Sequence, residues 1–250
     1  MATEKTSALV LRLVDFSESS CVVTLFTRDF GKIAALAKGA RRPKGPFDSA
    51  LDLLAVCRIV FIRKSTEALD LLTEAKLERR FRAASRDLSR LYAGYYTAEL
   101  LMELTDIGDP HPELYAEAER TLIDLDRDAN VAHTVLRFEL SLLRLLGYLP
   151  SLEVCAVCGA PVPDEPRVLF GQAAGGILCA ACRPGQRQVV SISREVLQVL
   201  RQAHAGTSPA GLAADDPQVR GPLRGMMNHY LANLLGHDPR MQKYLGTLVT

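Results

Sequence analysis

Apolar residues in the first 80 positions alternate with polar ones or fall in short runs, which is the pattern of β-strands rather than helices. The runs are rich in β-branched and aliphatic side chains, and polar or Gly/Pro stretches separate them. They occupy residues 8–16, 21–27, 33–37, 51–62 and 69–77. Five strands in so short a span predict a small β-barrel.

From Phe81 onward the apolar residues recur with a period of about 3.6, which is the period of an α-helix. The first helix is apolar nearly all round, so we expect it to be buried, and the two prolines within 108–112 end it. Further helices are predicted from about residue 113, over 131–147, from residue 193 and over 223–235. Ser193 is a suitable N-cap, and Asp216 before Pro217 marks a helix start.

Segment 151–187 follows neither pattern, because it is rich in Cys, Gly and Pro and has little hydrophobic periodicity. Such a segment cannot build a conventional core, so we expect a turn-rich module inserted in a helical domain. The chain is therefore predicted to be a multidomain α+β protein. Its predicted parts are a barrel at 1–80, a helical domain at 81–150 and 188–250, and the cysteine-rich module at 151–187.

Four of the six cysteines form two C-x-x-C pairs, Cys155 with Cys158 and Cys179 with Cys182, separated by twenty residues. This spacing is typical of a four-cysteine zinc site, in which each tight turn presents two thiolates to one ion. Four thiolates leave no open position for water, so a bound zinc ion would be structural. The alternatives are two disulfides, which suit an exported protein, and a thioredoxin-like redox pair, which needs a βαβ unit.

Charge is distributed unevenly, although the total is only +1 and 24% of the residues are charged. Residues 1–80 carry 14 Lys and Arg against 10 Asp and Glu. Within them, residues 28–64 hold nine cations and three anions. This excess suits contact with a polyanion, and a merely solvated surface is the alternative.

The densest cations lie in residues 38–49, which we call the basic loop. Its glycines and prolines predict an irregular connection between two strands, a place where functional residues are common. The best candidates for phosphate contacts are Lys38, Arg41, Arg42 and Lys44, with Arg28 and Lys32 as supporting cations. The next candidates, on the following strand, are Arg58, Arg63 and Lys64.

Catalytic motifs are missing from the sequence. It holds no phosphate-binding P-loop, no dinucleotide fingerprint, no H-E-x-x-H and no G-x-S-x-G, and its five histidines are scattered. Cys21 and Cys57 lie in apolar strand patterns and are expected to be buried core residues. We therefore expect a protein that is not an enzyme.

The sequence also predicts a soluble cytoplasmic protein. No uncharged stretch approaches the roughly 18 residues of a membrane helix. The apolar stretch at 8–14 is interrupted by Arg12, and no cleavage site follows it.

Three segments stand out for their order and separation along the chain. They read TLFTRDFGK at 24–32 followed by AKGARRPK at 37–44, then LGYLPSLEVCAVCG at 146–159, then GGILCAAC at 175–182. Together they resemble the RecO family of bacterial recombination and repair proteins. The resemblance extends across nearly the whole chain, which makes it more specific than any one segment.

This resemblance implies an amino-terminal OB-fold, a helical domain and a four-cysteine module that holds one structural Zn²⁺ ion. It also implies that the protein binds single- and double-stranded DNA and anneals complementary strands. Family members help to load recombinase onto strands coated with single-stranded-DNA-binding protein, and they work with RecR and often RecF at the nucleoid. Annealing requires neither ATP nor a catalytic residue, in agreement with the missing motifs.

Two other functions stay open on sequence alone. The first is a zinc-stapled scaffold that binds proteins but not DNA, with Tyr92, Tyr95 and Tyr96 lining a groove instead of packing in a core. The second is a zinc-ribbon RNA-binding or transcription factor. The cysteine module carries few cations, which argues against the ribbon itself as the reader of nucleic acid.

Overall fold

Strand β1 (Thr3–Asp15) is hydrogen-bonded on both edges, and this double pairing closes a barrel in the computed structural model. Residues 3–9 of β1 pair with β4 (Val56–Ile62), whereas residues 8–15 pair with β2 (Cys21–Thr27). The two ladders overlap at residues 8 and 9, and a bulge between Val10 and Arg12 interrupts the ladder with β2. The long strand therefore serves two neighbours in succession.

The other strands of the barrel are β3 (Gly31–Ala37) and β5 (Asp70–Arg79). Strand order around the closed barrel is β1-β2-β3-β5-β4, with β3 and β5 parallel and the other pairs antiparallel. This is the five-stranded Greek-key barrel of an OB-fold, so the predicted fold class is confirmed. Its interior is filled by alternate aliphatic and aromatic side chains, including Val23, Leu25, Ile59 and Phe61.

The structure describes residues 2–42, 46–47, 50–64, 68–83, 87–127, 129–162, 165–205 and 216–245. The chain separates into two compact units, Met1–Val131 and Ala132–Thr250. The first unit contains the barrel together with two helices, α1 (Leu88–Leu104) and α2 (Pro112–Asp126). The four-part division into domains stays a prediction.

The predicted strand 51–62 is too long, because only Val56–Ile62 is extended. Leu54 adopts a left-handed backbone with φ of 63°, within a turn in which the Ala55 amide donates to the Asp52 carbonyl. Leu54 is nevertheless buried, and its side chain lies against Gly94 of α1. Its apolar character therefore reflects packing against a helix instead of membership of a strand.

The first helix, α1, buries seven of its 17 residues, and Leu88 at its start is 61% exposed, so it is less completely buried than its apolar character predicts. Asp87 caps it by accepting a hydrogen bond from the Ser89 amide at 2.8 Å. Tyr96 is fully buried and Tyr92 and Tyr95 are partly buried, so Tyr96 at least is a core residue and does not line an open groove.

Helix α3 (Val131–Leu145) begins at the boundary between the units, and all but its first residue belongs to the second unit, with a three-stranded antiparallel sheet and the remaining helices. The sheet has the order β7-β6-β8 and is formed by β6 (Arg167–Gly171), β7 (Gly176–Leu178) and β8 (Val189–Ser193). The helices after it are α4 (Arg194–His204), α5 (Pro217–Leu235) and α6 (Gln242–Leu245). None of the helices within the described residues combines the length and apolar character needed to cross a membrane.

Two helix starts agree with their predicted caps. Ser193 caps α4 through the Val196 amide, and Asp216 caps α5 through the Gln218 amide at 2.9 Å. Helix α5 begins six residues before the apolar pattern does and continues through Pro222. A buried ion pair ties it to α3, because Arg224 donates two hydrogen bonds of 2.7 Å to Glu139, which is 0% exposed.

Candidate functional site

The basic loop begins beside the turn that joins β1 to β2. Cys21, the first residue of β2, pairs with Asp15 on one side and with Ala37 on the other. The chain leaves β3 at Ala37, so it enters the basic loop next to this turn. The Gly39 amide donates to Ser20 Oγ at 3.3 Å, and the Arg41 amide donates to the Ser19 carbonyl at 3.2 Å.

Three of the predicted phosphate-binding cations are exposed in this part of the loop. Lys38, Arg41 and Arg42 all reach solvent, and the Arg41 guanidinium pairs with the Asp15 carboxylate. Sequence reasoning did not identify Asp15 as a partner, because only the strand register brings residues 15 and 41 together. Both members of the pair are well exposed, so it contributes little stability. Lys44 lies outside the described residues.

Arg28 lies at the far end of β2 from the basic loop. A seven-residue strand separates the two positions by roughly 20 Å at about 3.3 Å per residue. Arg28 pairs with Asp29 at 3.1 Å. A hydrogen bond from Thr6, and then the contact with Arg28, lower the pKa of Asp29, so this carboxylate keeps its charge. The structure therefore does not bring Arg28 together with the loop cations.

Lys32 is buried, which contradicts the prediction that it supports phosphate binding. Its side chain is only 8% exposed, and the Nζ atom donates to the carbonyl oxygens of Met102 and Thr105 at the end of α1. Burial lowers the pKa of the Lys32 ammonium, while the carboxylates of Asp106 and Glu103 act in the opposite direction. A cation held under the C-terminus of a helix satisfies carbonyls that have no helical partner. Lys32 is thus unavailable to a phosphate.

The cations of the following strand also differ in their surroundings. Arg58 forms an exposed ion pair of 2.7 Å with Glu78 on β5. The Arg63 guanidinium lies 5.6 Å from the centre of the Phe30 ring, and Lys64 is exposed. These residues are accessible, but they do not form one cluster with Lys38, Arg41 and Arg42.

The four cysteines of the two C-x-x-C pairs form a second candidate site, in the second unit. Their sulfur atoms all lie within 4.8 Å of one another, and Cys158 Sγ is 3.8 Å from Cys179 Sγ. Four sulfurs about 2.3 Å from a central metal ion are about 3.8 Å apart in a tetrahedron. The cluster has the donor atoms and the spacing to hold a metal ion. All six cysteines are free thiols, so the disulfide alternative is not what the structure contains.

Local backbone geometry builds this cluster. The first pair sits in a tight turn in which the Gly159 amide donates to the Cys155 carbonyl at 2.8 Å, with Gly159 at a φ of +72°. The second pair follows β7, and residues 180–182 form a turn of 3-10 helix. The two halves are joined directly, because the Ala156 amide donates to the Ile177 carbonyl at 2.9 Å.

Backbone amides near the cluster favour the thiolate form of Cys155. Backbone amides of Cys179, Cys158 and Val157 point at the Cys155 sulfur and lower its pKa to about 6. Contacts with the sulfurs of Cys158 and Cys179 raise the pKa of Cys182 to about 12, since crowded sulfurs share their protons. In contrast, Cys57 is inert in the barrel core, where burial raises its pKa to about 12.

The predicted module boundary at residue 187 divides a hydrogen-bonded sheet. Strand β8 (Val189–Ser193) pairs with β6 along its whole length and leads directly into α4. Phe170 of β6 is buried and packs edge-on to Tyr230 of α5, with ring centres 6.1 Å apart. The cysteine-bearing segment therefore does contribute to a hydrophobic core, contrary to the expectation of a purely turn-rich insertion.

Comparison with known proteins covers both units. Residues 1–81 match the domain family described as Recombination protein O N terminal, and residues 85–243 match Recombination protein O C terminal. The chain belongs to the RecO family. The resemblance carried by three sequence segments is thereby confirmed.

Individual RecO relatives are similar along most of their length. A DNA repair protein RecO from Rhodopirellula baltica is 44% identical, over 95% of this chain and 97% of the relative. One from Myxococcus xanthus is 38% identical, over 92% and 91%. A more distant one from Halalkalibacterium halodurans is 27% identical over 98% and 94%. Both the barrel and the cysteine cluster therefore lie within the shared region.

Replacement of Lys32 tests whether this side chain is structural. We expect Lys32→Met to lower the free energy of unfolding by about 1–3 kcal/mol, because two carbonyls at the end of α1 lose their donor. Denaturant titration measures this change. The control is Lys38→Met, which removes an exposed cation and should alter the unfolding free energy by less than about 0.5 kcal/mol. A Lys32→Met variant of unchanged stability that binds DNA more weakly would return Lys32 to the candidate surface.

Proposed function

We propose that this chain is a non-enzymatic DNA-binding mediator of recombination and repair. It binds single- and double-stranded DNA, anneals complementary strands and helps to load recombinase onto strands coated with single-stranded-DNA-binding protein. Its protein partners in recombinase loading are RecR and often RecF, and it acts on chromosomal DNA in the cytoplasm. The observation that carries the proposal is the group of three exposed cations, Lys38, Arg41 and Arg42, on an OB-fold barrel in a RecO family chain.

Electrostatics supports contact with the DNA backbone. Lys38, Arg41 and Arg42 are exposed within five consecutive residues, and the first and last form no ion pair within the described part of the chain. The Arg41 pair with Asp15 is exposed, and a phosphate can replace the carboxylate at little cost. Cations on a loop follow phosphates without reading base edges, so binding should be independent of sequence.

Annealing fits a protein that performs no covalent chemistry. Two complementary strands repel one another through their phosphates, and bound cations reduce this repulsion. Base pairing then makes formation of the duplex product favourable in free energy. A basic surface on a stable barrel is sufficient for this role.

An annealing assay tests the proposal directly. We expect the protein to accelerate pairing of complementary fluorescent strands, with equal rates in the presence and absence of ATP. Fluorescence transfer between the labelled strands measures the rate. If the protein gives no acceleration, or requires ATP, the mediator function is wrong and a protein-binding scaffold becomes the better description.

Neutralising the basic loop tests its contacts. Each phosphate contact to a single strand contributes about 0.7 to the slope of log K against log salt, so Arg41→Ala with Arg42→Ala should flatten the slope by roughly 1–2. Binding should weaken alike for all sequences. Titration of labelled single strands and duplexes at several salt concentrations measures both quantities.

The matched control for this variant is Arg183→Ala with Arg187→Ala, which removes the same charge from exposed positions near the cysteine cluster. We expect this control to keep the wild-type slope. Equal slopes in the wild type and the loop variant would move the DNA-binding surface to Arg58, Arg63 and Lys64.

We further propose that the cysteine cluster holds one structural zinc ion per chain. Four thiol donors at tetrahedral spacing suit Zn²⁺, and four protein ligands leave no position for a reacting water. The ion would join the turn at Cys155 to the turn at Cys179 and thereby stabilise the sheet between them.

Elemental analysis is expected to find about one zinc ion per chain. Cys155→Ser with Cys179→Ser should abolish metal binding and lower thermal stability, because the metal contributes to the folding free energy of its own segment. Cys21→Ala with Cys57→Ala is the control, since it removes two thiols of the barrel and should leave the zinc content unchanged. Absence of zinc, or unchanged stability in the Cys155/Cys179 variant, contradicts a structural zinc site.

A further inference from the structure

The turn between β1 and β2 presents an aromatic ring to solvent. Phe16 is 64% exposed, whereas the other seven phenylalanines, all within the described residues, are buried or half-buried. Val14, two residues earlier in the chain, is exposed as well. An isolated exposed apolar side chain has no special meaning, so the surroundings of the ring decide its significance.

The backbone under the ring is held in one conformation. The amides of Phe16 and Ser17 both donate to the Ser20 carbonyl at 3.1 Å, and the Ser20 amide donates back to Ser17. Four residues thus form a closed turn at the end of a paired ladder. These hydrogen bonds restrain the backbone from which the ring projects, which reduces the entropy lost when the ring contacts a ligand.

This turn is bonded to the basic loop. Ser19 and Ser20 accept hydrogen bonds from the Arg41 and Gly39 amides, and Asp15, adjacent to Phe16, pairs with the Arg41 side chain. The exposed ring and the exposed cations therefore lie on the same end of the barrel. Both belong to the first compact unit, Met1–Val131.

We propose that Phe16 stacks on an unpaired base of single-stranded DNA whose phosphates contact Lys38, Arg41 and Arg42. The inference rests on the proposed DNA-binding function and adds to it the residue that recognises a single strand. Phosphate contacts alone attract any DNA. A ring face adds affinity only for exposed bases, since the bases of a duplex are already stacked on one another.

A single surface that carries both Phe16 and the loop cations can bind the substrate of annealing and release the product. Phe16 holds a base of the single strand while the loop cations hold its backbone. When the complementary strand pairs with this base, the base enters the duplex stack and leaves the ring. The product is then held by phosphate contacts alone, so Phe16 favours binding of the substrate over the product.

Binding assays with Phe16→Ala test the stacking contact. We expect a loss of roughly fivefold or more in affinity for a thymidine homopolymer, because truncating a stacking aromatic costs about that factor per base. Affinity for a duplex, and for a strand of abasic sugar phosphates, should stay at the wild-type value. Phe16→Tyr should retain thymidine binding, whereas Phe16→Leu, which lacks a ring face, should not. Ile107→Ala removes another exposed apolar side chain, 69% exposed, and is the matched control.

Fluorescence gives an independent readout, since the chain contains no tryptophan. Phe16→Trp introduces a single indole at the turn, and we expect the thymidine homopolymer to quench its emission while the abasic strand does not. Ile107→Trp serves as the control and should show no quenching by either strand.

The outcomes separate this inference from the function on which it rests. If the wild type binds no DNA, the proposed function fails and the inference fails with it. If the wild type binds DNA and Phe16→Ala binds the thymidine strand equally well, stacking is wrong although the function stands. Equal losses on thymidine, duplex and abasic strands would also overturn stacking, because the ring would then act only by holding the basic loop.

Discussion

The double pairing of β1 is the constraint on which the first unit depends. A strand that pairs with β4 along its first half and with β2 along its second half closes the barrel and leaves it without a free edge on either side. The same register places the β1–β2 turn beside the end of β3. The exposed cations of the basic loop and the ring of Phe16 are neighbours for this reason, although more than twenty positions separate Phe16 from Arg41 in the chain.

The barrel also depends on what covers it. Lys32 leaves β3 with its ammonium under the last turn of α1, and Gly31 has a φ of +67° where a side chain would collide with the Asp109 carbonyl. These contacts attach the helices to the barrel, so the sequence stretch around Gly31 and Lys32 serves packing within the first unit. The stretch that follows it, at Lys38, Arg41 and Arg42, faces solvent.

The cysteine cluster arises from a different principle. Each C-x-x-C pair is a local turn whose geometry follows from a few residues, and backbone hydrogen bonds from Ser151 and Ala156 to residues 175–177 bring the two turns together. Because the three-stranded sheet includes β8, which continues into α4, the cysteine-bearing segment is part of the core of the second unit. A structural ion there would stabilise helices as well as the turns that hold it.

The sequence by itself determined the features that depend on neighbours along the chain. Period-two runs located β2 and β5, and Ser193 and Asp216 marked helix starts. The C-x-x-C spacing located the four clustered cysteines. All of these succeed because strand alternation, capping and tight turns are local. Accessibility is not local. Only the tertiary structure showed that Lys32 is buried whereas Arg41 is exposed, that Arg41 pairs with Asp15, and that the Phe16 ring faces solvent. Strand register and helix packing decide which side chains meet water. Leu54 and the segment before β4 were misassigned for the same reason, because an apolar residue has the same sequence signature whether it packs from a strand or from a turn.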